Sequence, residues 1–330
     1  MYSRTTSKSK PFYEVNKEMI DLIIPVYKNV KGLLRSLESV DFKVFQVTVV
    51  EDGSKEVHKL PYPVKIIHLK NNVGPGQARQ EGIKATSNPY IMFLDAGDVF
   101  LSKDVQQQIV QVITKNPKLN VFFWSYLYNL APTDYFDNRL HGKVYKREFL
   151  KKYNICFSKA GSYLDEDIGF NRICRIISKN IRVPIYFSNT PVIEWIHDDN
   201  SITQKDKRVS LYKDQTRGLS INTLHCINIC RDNNLSEDLI QHEINEIAIA
   251  LYYWFIRTAA ERPEYMRDAW KGARIFYKRY GKSIHPDIVI LGSHQLVKCL
   301  RYRDKIKFTI NFTRFINDML KHDEMPSWYK

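Results

Sequence analysis

The chain has 330 residues, 44% of them hydrophobic, which is enough to bury a sizeable core in one large domain with an appendage or in two domains, and which excludes a mainly disordered chain. With 50 Lys and Arg against 36 Asp and Glu, the net charge of +14 favours an anionic partner: nucleic acid, an acidic membrane surface or a phosphorylated substrate. The cysteines Cys156, Cys174, Cys226, Cys230 and Cys299 are odd in number and scattered, which fits a reducing compartment and excludes a disulfide framework.

Residues 1–17 read as a flexible basic tail, without the apolar segment a signal peptide requires. Residues 20–26 are apolar and β-branched and predict a strand, and 30–40 carry helical spacing through Leu33, Leu34 and Leu37. Strands follow at 45–50, closed by Glu51-Asp52-Gly53-Ser54, and at 64–69. Helix 77–85, strand 90–94, helix 104–114 and strand 119–124 continue the alternation. This rhythm predicts an α/β fold with a mainly parallel sheet covered on both faces. Beyond about residue 205 the pattern turns helical, notably at 239–257 and 263–280, giving a helical C-terminal appendage over 205–330. The longest apolar run, 247–256, is half the length of a membrane span.

Ligands of parallel α/β sheets bind beyond the carboxyl ends of the strands. Two predicted strands end there in carboxylates: Asp52 after the second, and Asp95 with Asp98 after the fourth. Asp95-Ala96-Gly97-Asp98 places two carboxylates three apart on a tight turn, where they can share a hard cation. The same tetrapeptide also suits an ordinary β-turn, as Asp-Gly-Ser does after the second strand. The segment from Asn72 to Arg79 has Gly74 and Gly76 but Arg79 where a dinucleotide fingerprint needs its third glycine, so a dehydrogenase is excluded. A helix start bearing Arg79 suits a diphosphate or base contact instead. Cys226 and Cys230 beside His225 could bind a metal, but no second ligand pair follows, so buried helix thiols are the better reading.

Together these segments resemble the family-two, GT-A-type nucleotide-diphosphosugar glycosyltransferases over residues 20–204. Ile23-Ile24-Pro25-Val26-Tyr27 is similar to the family's opening strand, and Glu51-Asp52-Gly53-Ser54 to its Asp-Asp-Gly-Ser turn. Gly74, Ala78, Arg79 and Gly82 resemble its Gly-x-x-x-Ala-Arg-Asn-x-Gly helix start, and Leu94-Asp95-Ala96-Gly97-Asp98 its metal and ribose motif. Leu164-Asp165-Glu166-Asp167-Ile168-Gly169-Phe170 resembles its Glu-Asp-x-x-Phe motif, and His197-Asp198-Asp199-Asn200-Ser201-Ile202-Thr203 a segment near the metal and diphosphate. The chain departs from the pattern at Gly97, where the family has its middle aspartate, at Gln80, where it has Asn, and at Glu51, where it has Asp.

The resemblance implies a GT-A, Rossmann-like domain over 18–204 and an inverting transfer from a nucleotide-diphosphate sugar, UDP-linked, to an acceptor hydroxyl. Pro25, Tyr27, Asp52, Arg79 and Asp95 would hold the donor nucleotide, and Asp98, Asp95 and His197 a Mn²⁺ or Mg²⁺ ion. Acidic residues at a helix start also cap helices, as Glu166 and Asp167 would. Inverting transfer needs one carboxylate to take the acceptor proton, a role that falls to Asp167 with Glu166 orienting the acceptor.

Arg267, Lys271, Arg274 and Lys278 share one face of a C-terminal helix and predict either a solvated face or a polyanion surface. The acceptor it would serve is a surface glycan or membrane-associated lipid-linked saccharide, or alternatively DNA carrying a hydroxymethylated base. A second basic cluster comprises Lys298, Arg301, Arg303, Lys305 and Lys307. Such an enzyme would work in the cytoplasm, at the inner membrane surface, or in the host cytoplasm if of phage origin. A non-catalytic polyanion-binding module is the rival from another class. A nucleotidyltransferase is disfavoured because Tyr27 to Lys31 lacks the glycine-rich loop that holds a triphosphate.

Overall fold

The computed structural model describes residues 20–133, 139–159, 166–196, 207–284, 298–309 and 311–329. Strand β1 (Ile20–Val26) is buried at every position, as a strand covered on both faces must be. It pairs in parallel with β2 (Phe45–Glu51) and β4 (Tyr90–Phe93), and β2 pairs in parallel with β3 (Val64–His68). The parallel connections run through α1 (Val30–Ser39) and α2 (Pro75–Lys84). Asn29 starts α1 by accepting the Gly32 N–H on its side chain.

The remaining strands are β5 (Val99–Phe100), β6 (Val121–Tyr128), β7 (Ala131–Pro132), β8 (Lys143–Lys146) and β9 (Tyr186–Trp195), with α3 (Lys103–Lys115), α4 (Arg147–Lys152) and α5 (Glu166–Asn180) between them. The described strands form one nine-stranded sheet of order β3-β2-β1-β4-β8-β6-β9-β5, with β7 paired to β6. β8 is antiparallel to both β4 and β6, whereas β9 returns parallel to β6. The sheet is thus mainly parallel, as expected, with a mixed second half.

One sheet face packs under α1 and α3 through Leu33, Leu37, Ile109 and Ile113. The other packs Phe93, Phe123 and Tyr145 against Phe157, Ile173 and Ile177 in a core that runs on without interruption into the C-terminal helices, to Ile227, Leu251, Phe255 and Trp270. Those helices are α6 (Lys207–Asp232), α7 (Glu237–Glu261), α8 (Met266–Tyr280) and α9 (Phe312–Lys321). The predicted appendage is therefore fused to the α/β unit by shared apolar burial, at about 1.5–3 kcal/mol for each large side chain. The run 247–256 is the buried centre of α7, and no described helix is long and apolar enough to cross a membrane. All five cysteines are free, with Cys226 and Cys230 buried as helix thiols.

Helix α8 presents Arg267, Lys271 and Lys278 to solvent. However, Arg274 pairs with Asp323 at 2.5 Å and Lys271 with Glu324 at 3.6 Å. Carboxylates of the same chain thus meet two of the four cations of the stripe.

Candidate active site

Parallel pairing aligns the carboxyl ends of β1, β2 and β4 on one edge of the sheet. At the end of β4 the chain turns through Asp95-Ala96-Gly97-Asp98, and neighbouring residues hold this turn. Asn29 Nδ2 donates to Ala96 O at 2.9 Å, Arg35 Nε donates to Gly97 O at 3.0 Å, and the Gly97 N–H donates to Ser36 Oγ at 2.8 Å. Gly97 has φ +121°, a conformation that side chains with a Cβ rarely adopt. This accounts for the departure at that position, because an aspartate there would be strained.

A third side chain, His141, stands beside the two carboxylates. Antiparallel pairing of β4 with β8 brings the start of β8 beside the end of β4, and Gly142, at φ +67°, turns the chain so that His141 reaches the carboxylates. A Cβ on Gly142 would stand 2.9 Å from Trp124 O, so only glycine fits there. His141 Nε2 lies 3.0 Å from Asp98 Oδ2 and 3.8 Å from Asp95 Oδ2. Ligand atoms of Asp95, Asp98 and His141 all fall within 4.8 Å of one another. Asp98 Oδ2 and His141 Nε2 are buried, and neither makes a well-angled hydrogen bond among the described residues. Two carboxylates and an imidazole with inward-facing, unsatisfied atoms fit a divalent cation of the Mn²⁺ or Mg²⁺ kind. His197, the predicted third ligand, lies outside the described residues, as does Asp165.

Burial pushes the Asp98 carboxyl up, and the Asp95 charge adds to that against His141. Burial works against charging His141, but the Asp98 and Asp95 carboxylates overcome it and raise its pKa. A cation would take over from that imidazole proton in neutralising the two aspartates.

Arg79, on α2, is only 4% exposed. Its Nη2 lies 2.5 Å from Asp95 Oδ1 and its Nη1 2.9 Å from Glu166 Oε1. Its guanidinium thus bridges Asp95 to the acidic start of α5. Burial alone would raise the Asp95 carboxyl, but Arg79 and His141 hold it below the ordinary aspartate value.

Glu166 is buried and accepts from Arg79 Nη1. Burial, followed by the neighbouring Asp167 charge, pushes its carboxyl up to about 8 despite Arg79. Asp167 is half-buried and accepts the Ile168 N–H at 2.8 Å, and burial raises its pKa too. At about 8, the Glu166 carboxyl holds its proton near neutrality.

Asp52 is buried at the end of β2, and its two oxygens accept the Val73 and Gly74 N–H groups at 2.7 and 3.0 Å. It fixes the loop that starts α2. Glu51, the departure beside it, is also buried and accepts from Ser54 Oγ and the Lys55 N–H. Gln80, the other departure, accepts the Phe157 N–H at 3.0 Å and ties α2 to the segment before α5. Pro25 is buried within β1, so of the Pro25–Tyr27 pair only half-exposed Tyr27 offers a ring to a ligand.

Residues 21–173 match the family model described as Glycosyl transferase family 2. An uncharacterized glycosyltransferase of Haemophilus influenzae is 30% identical over 112 residues, covering 32% of this chain and 38% of that protein. An uncharacterized glycosyltransferase of Rickettsia bellii is 36% identical over 100 residues, covering 27% of this chain and 14% of that protein. The poly-beta-1,6-N-acetyl-D-glucosamine synthase of Staphylococcus epidermidis is 28% identical over 130 residues, covering 34% of this chain and 31% of the synthase. The chain thus spans well under half the length of each of these curated relatives. Among solved structures, S. aureus TarS 1-349 in complex with UDP superposes with a TM-score of 0.59 over 92% of this chain and 90% of that one. At 15% identity, that likeness is one of fold.

Proposed function

We propose, from the premise that residues 21–173 belong to glycosyl transferase family 2, that this chain moves a sugar from a nucleotide-diphosphate donor to an acceptor hydroxyl. The observation that carries the reading is the convergence of Asp95, Asp98 and His141 with Asp167, joined through Arg79 and Glu166 at the carboxyl edge of the sheet.

Asp95, Asp98 and His141 would hold a divalent cation, Mn²⁺ or Mg²⁺, whose chemistry is to neutralise charge on a diphosphate. Asp167 takes the proton of the acceptor hydroxyl as its oxygen bonds to the anomeric carbon. The bond from that carbon to the donor phosphate oxygen breaks, and the nucleoside diphosphate leaves with its electron pair. A single displacement of this kind inverts the anomeric configuration. Protonated Glu166 adds no second negative charge beside Asp167, and Arg79 keeps the two sides of the site at fixed separation. Tyr27 and the loop tied down by Asp52 would receive the nucleoside.

A UDP-linked donor is supported by the fold likeness to TarS, whose structures carry UDP and UDP-GlcNAc. A surface glycan or lipid-linked saccharide acceptor is supported by the poly-beta-1,6-N-acetyl-D-glucosamine synthase among the relatives. The exposed cations of α8 and of residues 298–307 suit an acidic surface around such an acceptor.

The test is nucleoside-diphosphate release from a panel of sugar nucleotides with Mn²⁺, in the presence of oligosaccharide acceptors or of hydroxymethylcytosine DNA, with Asp98→Ala as control. Release stimulated by a glycan and lost in the control is expected. Stimulation by DNA instead would transfer the acceptor assignment to a modified base. No release from any donor would leave a binding module.

A further inference from the structure

His141 is the cation-site residue with the least conventional support. A metal-binding imidazole is ordinarily aimed by a hydrogen bond from its second ring nitrogen to a carboxylate, a carbonyl or water. The His141 ring is buried, yet its Nδ1 makes no hydrogen bond among the described residues. Aromatic rings set its plane instead. The Tyr126 ring lies 4.8 Å away, centre to centre, at an interplanar angle of 32°, and the Trp195 ring 5.5 Å away at 28°. Tyr128 extends the stack on Trp195 at 4.5 Å, and the Arg139 guanidinium sits 4.9 Å from the same indole while donating to the Tyr126 hydroxyl at 3.1 Å.

This ladder follows from the strand register. Parallel pairing of β6 with β9 sets Tyr128 opposite Trp195, and Tyr126 lies two residues earlier on the same sheet face. The next residue after Trp195 also serves the site, because the Ile196 N–H donates to Asp98 Oδ1 at 3.2 Å. The end of β9 therefore steadies one carboxylate through its backbone and the imidazole through its indole. Trp195 is only half-buried, unlike Trp270, a fully buried core indole.

We propose that Trp195 is a positioning residue of the cation centre, which holds the His141 imidazole, together with Tyr126, in the plane needed to ligate. This rests on the reading that Asp95, Asp98 and His141 hold a divalent cation. With the indole removed, the ring turns about its side-chain bonds and ligation becomes one orientation among several. The expected loss is of the size seen on removing a ligand's supporting contact, about 10–100-fold in affinity.

The test is Mn²⁺ titration of the full chain without donor, read by the electron paramagnetic resonance signal of free Mn²⁺, with circular dichroism as the check on folding. Trp195→Ala is expected to bind Mn²⁺ at least about tenfold more weakly than the parent, and Trp195→Phe, which keeps a flat ring, within a few-fold of it. Where Trp195→Ala does not fold, Trp195→Leu carries the same expectation, because it retains apolar bulk without a ring to stack. His141→Asn separates the two levels of the proposal. If His141→Asn abolishes binding while a folded Trp195→Ala or Trp195→Leu binds like the parent, the positioning role is overturned and the cation centre stands. If His141→Asn itself binds Mn²⁺ like the parent, the cation centre falls and the positioning role with it.

Discussion

Replacing Arg79 by Met decides what that residue does. The guanidinium is 4% exposed and lies 2.5 Å from Asp95 and 2.9 Å from Glu166. Removing one partner of a buried ion pair costs about 3–5 kcal/mol, because the other is left charged in a poorly solvated place. Two features of the site moderate the loss. Glu166, pushed up to about 8, already carries its proton near neutrality and so leaves little buried charge behind, and Asp95 is 43% exposed and recovers some hydration. The expected destabilisation therefore lies near the lower end, about 3 kcal/mol, or roughly a hundredfold in the folded-to-unfolded ratio. Arg79→Lys should lose about half as much, since an ammonium serves one carboxylate as a point charge but cannot span both as a fork. Urea unfolding, with the slope compared across variants, measures these differences, and donor KM is measured beside them. If Arg79→Met kept its stability to within about 0.5 kcal/mol while donor KM rose tenfold, the bridge would be refuted and Arg79 would be a nucleotide contact after all.

Gly97→Asp restores the family's middle aspartate, yet it should destabilise the chain by about 1–3 kcal/mol without tightening Mn²⁺ binding. At φ +121° the new Cβ is strained and would stand 3.2 Å from the Arg35 guanidinium. Thermal unfolding and a Mn²⁺ titration check both halves of that expectation. Burial alone would raise the Glu51 carboxyl, but hydrogen bonds from Ser54, Lys55 and His68 outweigh it and hold the pKa below 4.5. Its contribution to stability is thus present above the unfolded value and is lost as pH falls through the folded one. The stability difference between the parent and Glu51→Gln should accordingly shrink on acidification from neutrality, as urea midpoints at several pH values would show. Because burial raises the Asp167 pKa, the acid limb of kcat/KM should fall with a midpoint above the roughly 3.9 of an ordinary aspartate.

The parallel half of the sheet could be read from residue patterns because its strands are short apolar runs closed by Gly, Asp and Ser. Strands β1, β2, β3 and β4 fall within a residue or so of their predicted bounds. Strand β9 was not visible in this way. Its Ser188-Asn189-Thr190-Pro191 centre reads as a turn, and it is a strand because β6 supplies its partner across two register shifts. The cation-side carboxylates and the acidic pair were legible, since each lies in a contiguous motif. His141 was not, because its role comes from the antiparallel β4–β8 pairing, which places residues 95 and 141 together without any local pattern. The one sequence signal available was a His-Gly pair just before a short β-branched and aromatic run. The motif marks Arg79, but sequence spacing does not show that its side chain points into the protein, toward Asp95 and Glu166.

The most direct measurement is the transfer rate of Asp167→Asn beside its affinity for the donor, with the parent under the same conditions. Asparagine keeps the shape and the bond to the Ile168 N–H but cannot accept the acceptor proton. The expected result is a fall of about 10²–10⁴ in kcat with donor affinity unchanged. Transfer at the parental rate would contradict the assignment of this cluster as the site where the acceptor loses its proton.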